Sequence, residues 1–188
     1  MEIQIKIDKD QIKQLENRLG RAKNQLPRVL ASAINDSVLQ LRTRLVRDLA
    51  ADIGSKVSAV RRRTRVSKAS VRTLSACLSI SPSRIGLIDL YARQTPKGVS
   101  YRAGRGGKGF AEHAFIQTMR GGSLQVARRV SGQGPSGLVP RYPIAVLKGP
   151  SPAMIEEKGG YLPAHKQQAA EILNSRIKSK VDWILSKR

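Results

Sequence analysis

The chain has 188 residues, 35 of them basic and 13 acidic, for a formal net charge of +22. Its length suits one domain burying roughly 70% of its unfolded surface, and its charge repels itself unless a polyanion or an acidic surface offsets it. Cys77 is the single cysteine, which excludes an intramolecular disulfide, and no run of about 18 apolar residues is present to span a membrane.

Ile3, Ile5 and Ile7 alternate with Glu2, Gln4 and Lys6, the period of a half-buried strand rather than a signal peptide. A soluble protein made in the cytoplasm is therefore expected. Asp8 and Gln11 suit an N-cap and its capping-box partner. From there Ile12, Leu15, Leu19, Ala22 and Leu26 form one helical stripe, punctuated by Pro27. A longer helix is predicted over Arg28–Ile53, where Leu30, Ala33, Ile34, Leu41, Leu45, Leu49 and Ile53 recur at helical spacing. Gly54 is its natural stop.

Ser55 is placed to cap a short helix that carries Arg61, Arg62 and Arg63. The period then drops to two, and Leu74, Ala76, Leu78 and Ile80 alternate with small polar residues as a strand. Further strands are predicted at Arg84–Tyr91, Gly98–Ala103, Ala114–Met119 and Leu124–Val130. They are separated by turn signals at Pro82, Pro96-Lys97-Gly98, Gly104-Arg105-Gly106-Gly107 and Gly121-Gly122. Gly132–Arg141 reads as an exposed loop, and Pro163 opens a last helix striped by Ala169, Ile172, Leu173, Ile177, Val181 and Ile184. The expected class is α+β. An N-terminal strand and long helices cover one face of a mostly antiparallel sheet, with a helix at the C-terminus. Within one domain spanning 1–188, helices occupy 8–68, a basic sheet region 71–148, and the last helix 163–186.

The charge is concentrated in the sheet region. Seventeen of the 35 basic residues lie between Arg61 and Lys148, where only Asp89 and Glu112 oppose them, so that segment carries +15. Residues 1–60 carry +4 and residues 149–188 carry +3. Nucleic acid or an acidic protein surface is the expected partner. Aromatic residues are scarce, so base stacking on single strands is poorly supplied. A basic face with no such partner would simply be solvated.

Catalytic chemistry finds no constellation. His113 and His165 lack partners at metal-ligand spacing, so neither a metal nor a cofactor is expected. Gly104–Gly109 ends Gly-Gly-Lys-Gly, but a phosphate loop needs Ser or Thr after the Lys, and no helix pattern follows. Glu156-Glu157, beside Lys158 and Gly159-Gly160, reads as a solvated turn, and Cys77 as a small buried hydrophobe. An enzyme is not expected.

A set of ordered segments carries a family likeness. They are Gly86-Leu87-Ile88-Asp89-Leu90-Tyr91 with Gly98-Val99, Ala114-Phe115-Ile116-Gln117-Thr118-Met119, and the strand Val126–Arg129. Pro143-Ile144-Ala145-Val146-Leu147-Lys148-Gly149-Pro150-Ser151-Pro152 with Met154-Ile155 completes the set. Together with the Ile-rich start and the paired helices, the chain resembles the prophage minor tail protein Z family over about residues 1–186. These are the tail completion proteins of long-tailed bacteriophages.

The resemblance implies a virion component acting late in tail assembly, near the head–tail joint, after synthesis in the host cytoplasm. It implies no catalytic residues. It makes Gly149-Pro150-Ser151 a structural turn and Ala114–Met119 sheet core, with Phe115 inside. The implied partners are other tail or neck proteins, further copies of the chain in a cyclic ring, and double-stranded DNA in the tail channel, with no membrane. Packaged duplex carries one negative charge per ~1.7 Å, so a ring around it needs a basic lumen that does not read sequence. The basic residues expected to face DNA are Arg61, Arg62, Arg63, Arg65, Arg102, Arg105, Lys108, Arg128 and Arg129.

Two other readings stay open. A head–tail connector or neck protein would share the helix-plus-sheet plan. A free-standing, sequence-nonspecific nucleic-acid-binding protein could place Arg61–Arg65 on a helix in a groove, although Asn and Gln for base edges are absent from residues 55–93.

Overall fold

The computed structural model describes residues 1–7, 12–15, 17, 24–129, 144–159 and 161–186. In chain order these form strand β1 (Glu2–Lys6), helices α1 (Leu26–Ile53) and α2 (Val57–Arg62), and strands β2 (Thr64–Ser67) and β3 (Ser75–Ile80). A 3-10 turn, Leu87–Leu90, precedes β4 (Arg93–Thr95), β5 (Gly98–Ala103) and β6 (Gly107–Glu112). Strands β7 (Ala114–Thr118), β8 (Leu124–Arg129) and β9 (Ile144–Val146) follow, then helices α3 (Pro152–Gly159) and α4 (Leu162–Ser186). The class is α+β, and every strand pairing is antiparallel. The strands form three sheets of three, in the orders β1-β3-β2, β4-β5-β6 and β7-β8-β9.

The described chain divides into two compact units and passes between them after Val46, Arg63, Ser81 and Ile155. The first unit holds Met1–Val46, Thr64–Ser81 and Glu156–Arg188. Its sheet has β3 at the centre, with Ile3 opposite Leu78 and Val66 opposite the same residue on the other side. Ile3, Ile5, Ala76, Leu78 and Ile80 are buried, so the alternation of both strands turns one face inward. The stripes of α1 (Leu30, Ile34, Leu41, Leu45) and of α4 (Ile172, Leu173, Ile177, Val181) supply the remaining core. Lys180 binds Asp36 at 2.7 Å and Arg176 binds Gln40 at 3.0 Å, fixing α4 against α1. The Asn35 amide donates to the Ala69 carbonyl and accepts from the Ala69 N–H, which ties down the turn between β2 and β3.

The second unit holds Arg47–Arg63 and Pro82–Ile155. Leu49, Ile53, Val60, Ile85, Leu87, Leu90, Val99 and Val126 form its core. Helix α1, about 42 Å long at 1.5 Å per residue, ends here. Gly54 adopts φ 73°, and Ser55 N–H reaches back to the Ala50 carbonyl at 2.9 Å, a left-handed stop that favours glycine.

Several sequence expectations need correction. Residues 64–67, expected as helix, form β2, because Thr64 and Val66 are β-branched and Val66 packs opposite Leu78. Arg84–Tyr91 is no strand: Leu87 and Leu90 are buried three residues apart, the period of the 3-10 turn they form. Ser55 does not cap α2. Lys56 occupies the N-cap without a side-chain bond, and the Ser55 hydroxyl meets the Lys56 carbonyl at 3.5 Å. Glu156-Glu157 lies on α3 rather than in a solvated turn. Glu156 is fully buried and its Oε1 meets His165 Nδ1 at 2.8 Å. Phe115 is only half-buried; Ala114, Val126 and Ala127 fill that sheet's core.

Pro163 sits in the first turn of α4, where its missing N–H costs nothing. Cys77 is half-buried, and burial first, then the Glu2 carboxylate, push its thiol above the usual range. The proposed cap Asp8 and Gln11, the stripe residues Leu19 and Ala22, Val130 and the Gly132–Arg141 loop lie outside the described residues. Residues 12–15 and 17 are helical.

Leu78 is fully buried on the central strand, so Leu78→Ala is expected to cost about 2–5 kcal/mol in urea unfolding. Phe115→Ala should cost less than the ~3–5 kcal/mol of a fully buried Phe. Equal losses at the two positions would contradict the burial described.

Candidate nucleic-acid interface

The second unit brings one hairpin against one helix end. The hairpin expected at Gly104-Arg105-Gly106-Gly107 forms between β5 and β6, with Ala103 opposite Gly107 and Arg102 opposite Lys108. Its tip closes on the C-terminus of α1. The Gly104 N–H donates to the Ile53 carbonyl at 3.2 Å, satisfying one of the orphan acceptors that every helix end leaves. A Cβ on Gly54 would lie 2.7 Å from the Gly104 carbonyl oxygen, so the approach demands glycine there. Arg105 forms an ion pair with Asp52, the penultimate residue of α1, where a cation also suits the helix dipole.

Arg102 and Lys108 stand directly opposite each other, and opposed like charges weaken a strand pair. Part of that cost is offset by Tyr91. This residue closes the 3-10 turn in a left-handed conformation, φ 56°, that a side chain adopts only against resistance. The Arg102 guanidinium lies 4.3 Å from the Tyr91 ring centroid, a cation–π contact.

Arg102 contributes to the linings of two open clefts. The first, about 500 Å³, is lined by Arg47 from α1, Arg102 and Lys108, together with Tyr91 and the glycines of the hairpin tip. The second, about 450 Å³, is lined by Arg102, Arg128 from β8 and Lys148 after β9, over an apolar floor that includes Leu87 and Leu147. Neither lining contains an Asp or a Glu.

The nine sequence-predicted residues therefore separate. Arg102, Lys108 and Arg128 line these clefts. Arg105 sits at the hairpin tip and is engaged by Asp52. Arg62 is paired with Asp89 at 2.9 Å, and Arg63 donates to the Arg84 carbonyl at 3.1 Å. Arg61 is exposed in the last turn of α2. Arg65 belongs to β2 in the first unit. Arg129 follows Arg128 on one strand and so faces the opposite side of its sheet. The helix imagined across Arg61–Arg65 ends at Arg62, with Arg63 as its C-cap, so no recognition helix exists there.

Sequence reasoning missed Arg47 and Lys148 as members of the cleft group. Arg47 was legible only as one of several cations on the polar face of α1. Lys148 had a signal, since it lies between the apolar Leu147 and the chain-redirecting Gly149-Pro150.

Among the described residues no group of three His, Cys, Asp or Glu side chains could hold a metal ion. No described helix is long and apolar enough to cross a membrane. The sequence model of the prophage minor tail protein Z (GPZ) family matches residues 5–186. The chain belongs to this family of structural phage tail proteins. No curated protein and no solved structure matches it. For a minor tail protein Z relative the basic clefts are thus features of a tail component, one that by its family works among other tail proteins.

Replacing Arg102, Arg105 and Lys108 together with Ser removes the ion pair between the exposed Arg105 and the largely buried Asp52 and the Arg102–Tyr91 contact, and relieves the Arg102–Lys108 repulsion. The triple variant should stay folded, with a melting temperature within about 4 °C of the parent by differential scanning calorimetry. Loss of the folding transition would show that the hairpin charges hold the unit together.

Proposed function

We propose that the protein completes the phage tail at its head-proximal end, beside the head–tail joint, with basic surface of its second unit turned toward the DNA that passes there. The observation that carries this reading is the family match over residues 5–186, joined to two cleft linings that hold five cations and no acid. A tail component meets one abundant polyanion, the genome, and duplex DNA offers phosphates at a density that such a surface can offset.

Sequence-blind contact fits the geometry. Arg and Lys reach phosphates from a hairpin and a strand, while base-edge reading uses an element inserted in a groove. With α2 ending at Arg62, the reading of a free-standing groove binder loses its recognition helix. Copies of the chain around a tail axis would form a cyclic ring through heterologous contacts. Arg44 lies exposed on α1 and suits the rim of such contacts. With a net charge of +22, isolated copies repel one another, so assembly would wait for the tail template.

Electron microscopy of particles made without this protein tests the reading. Filled heads and separate, unjoined tails are expected, with infectivity restored by supplying the chain. Joined particles of normal infectivity would overturn the tail-completion role.

A further inference from the structure

Strand β1 is the edge of the first unit's sheet, joined only to β3 among the described residues. Its pairing fixes which way each backbone group points. Met1 and Ile80 exchange bonds: the Ile80 N–H donates to the Met1 carbonyl at 2.9 Å, and the N-terminal ammonium to the Ile80 carbonyl at 3.3 Å. Bonded pairs recur at every second residue of an antiparallel ladder. Ile3 and Ile5 therefore bond Leu78 and Ala76, while Glu2, Gln4 and Lys6 turn their N–H and C=O groups away from β3. The outward groups of Gln4 and Lys6 open on a groove of about 280 Å³, which runs between residues 3–6 of β1 and one side of α4. We infer that this groove takes an extended segment of another tail protein as an added strand, one that alternates apolar and acidic side chains. The inference stands on the family's work among other tail proteins and is independent of the DNA-facing reading.

Three observations carry it. The outward backbone groups of Gln4 and Lys6 have no hydrogen-bond partner among the described residues, and an added strand would satisfy them at the two-residue spacing of a ladder. Apart from Lys6, the edge also lacks the devices that blunt edges: β1 runs five residues in unbroken register, with neither proline nor bulge. The shape of the far wall is the second observation. Lys166, Ala170 and Asn174 follow one another at four-residue spacing along the exposed margin of α4. Ala170 keeps that wall low between two longer side chains, which leaves room for an apolar side chain on the face shared with Ile3 and Ile5. The third is charge. Lys6 and Lys166 line the groove and no carboxylate does, so an acidic residue opposite Lys6 would form a favourable cross-strand pair.

A second copy of the chain is the competing occupant. Two β1 strands paired antiparallel could set Glu2 of each opposite Lys6 of the other. That pairing is disfavoured because it brings together two chains of net charge +22, whereas an acidic segment lowers the repulsion.

The test uses the full-length protein, labelled with nitrogen-15, and an acetylated eight-residue peptide that alternates valine and glutamate. Hydrogen exchange followed by NMR reads the β1 amides one by one. In the free protein the Gln4 and Lys6 amides should exchange fast and those of Ile3 and Ile5 slowly. With peptide at ten times its Kd, the Gln4 and Lys6 amides should slow about tenfold, because only the unbound fraction exposes them. Gln4→Pro removes one outward N–H and keeps the bonds to β3, and Ala170→Trp fills the groove from the helix side. Each should weaken peptide binding by about tenfold. Lys6→Gln with Lys166→Gln should weaken binding and flatten its salt dependence. Lys68→Gln with Arg72→Gln, the same loss of charge at exposed positions between β2 and β3, should do neither.

Circular dichroism melts check that each variant folds. Should Gln4→Pro fail to fold, Ala170→Trp and the exchange measurement still decide. Binding that leaves the Gln4 and Lys6 amides unprotected, or that falls equally in the two charge variants, would overturn strand addition in favour of attraction to net charge. Absence of binding at millimolar peptide would overturn it too. Gln4 and Lys6 amides already slow in the free protein, and slower as its concentration rises, would assign the edge to a second copy instead. None of these outcomes bears on the contact with DNA.

Discussion

The closure of the β5–β6 hairpin on the end of α1 is the constraint on which the basic surface depends. One backbone hydrogen bond, Gly104 N–H to the Ile53 carbonyl, joins the hairpin tip to a helix terminus that would otherwise leave that acceptor unmet. Gly54 permits it twice, by taking the left-handed turn and by leaving no Cβ in the path of the Gly104 carbonyl. Asp52 then holds Arg105 at the same junction. Because the tip is fixed, Arg102 and Lys108 are carried to one face beside Arg47, although they are far from it in sequence. A hairpin free to swing would scatter those charges into solvent, where each is screened within roughly 8–10 Å.

Electrostatics and stability pull against each other here. A net charge of +22 opposes the compact state, and an opposed Arg102–Lys108 pair adds a local cost. The apolar cores carry the fold against that cost, through stripes on α1 and α4 and the alternating faces of β1 and β3. Acids are spent sparingly and locally. Asp89 answers Arg62, Asp52 answers Arg105, and Asp36 answers Lys180. The two cleft linings hold no carboxylate, which suits a surface whose counter-charge arrives with its partner.

Much of the fold was legible because its signals are periodic. The alternation of Ile3 and Ile5 with polar neighbours, and of Ala76, Leu78 and Ile80 with Ser and Cys, gives β1 and β3 directly. The stripe of α4 was read residue for residue, from Ala169 to Ile184. Short elements escaped. β2 has four residues after an arginine run and shows its character only by packing opposite β3. Leu87 and Leu90 fit a strand on hydrophobicity alone, and their three-residue separation decides the 3-10 turn. The Glu156–His165 contact spans nine residues across a turn, a distance at which no local pattern announces a partner.

The candidate surface was legible in its composition and only partly in its members. Charge density located it between Arg61 and Lys148, and the glycines located the hairpin. Sequence adjacency then misled, since neighbours on a strand point to opposite faces, as Arg128 and Arg129 do. Arg47 joins the group only through the helix end that the hairpin closes, a tertiary fact.

Whether this tail protein turns its basic clefts to DNA is tested most directly by locating the chain in the intact particle. A cryo-electron-microscopy reconstruction of the joined head and tail should place the protein at the head-proximal end of the tail, with Arg102 of each copy facing the central channel and its DNA. Finding the chain at the distal tip, or finding Arg102 turned to the outer surface of the particle, would contradict it.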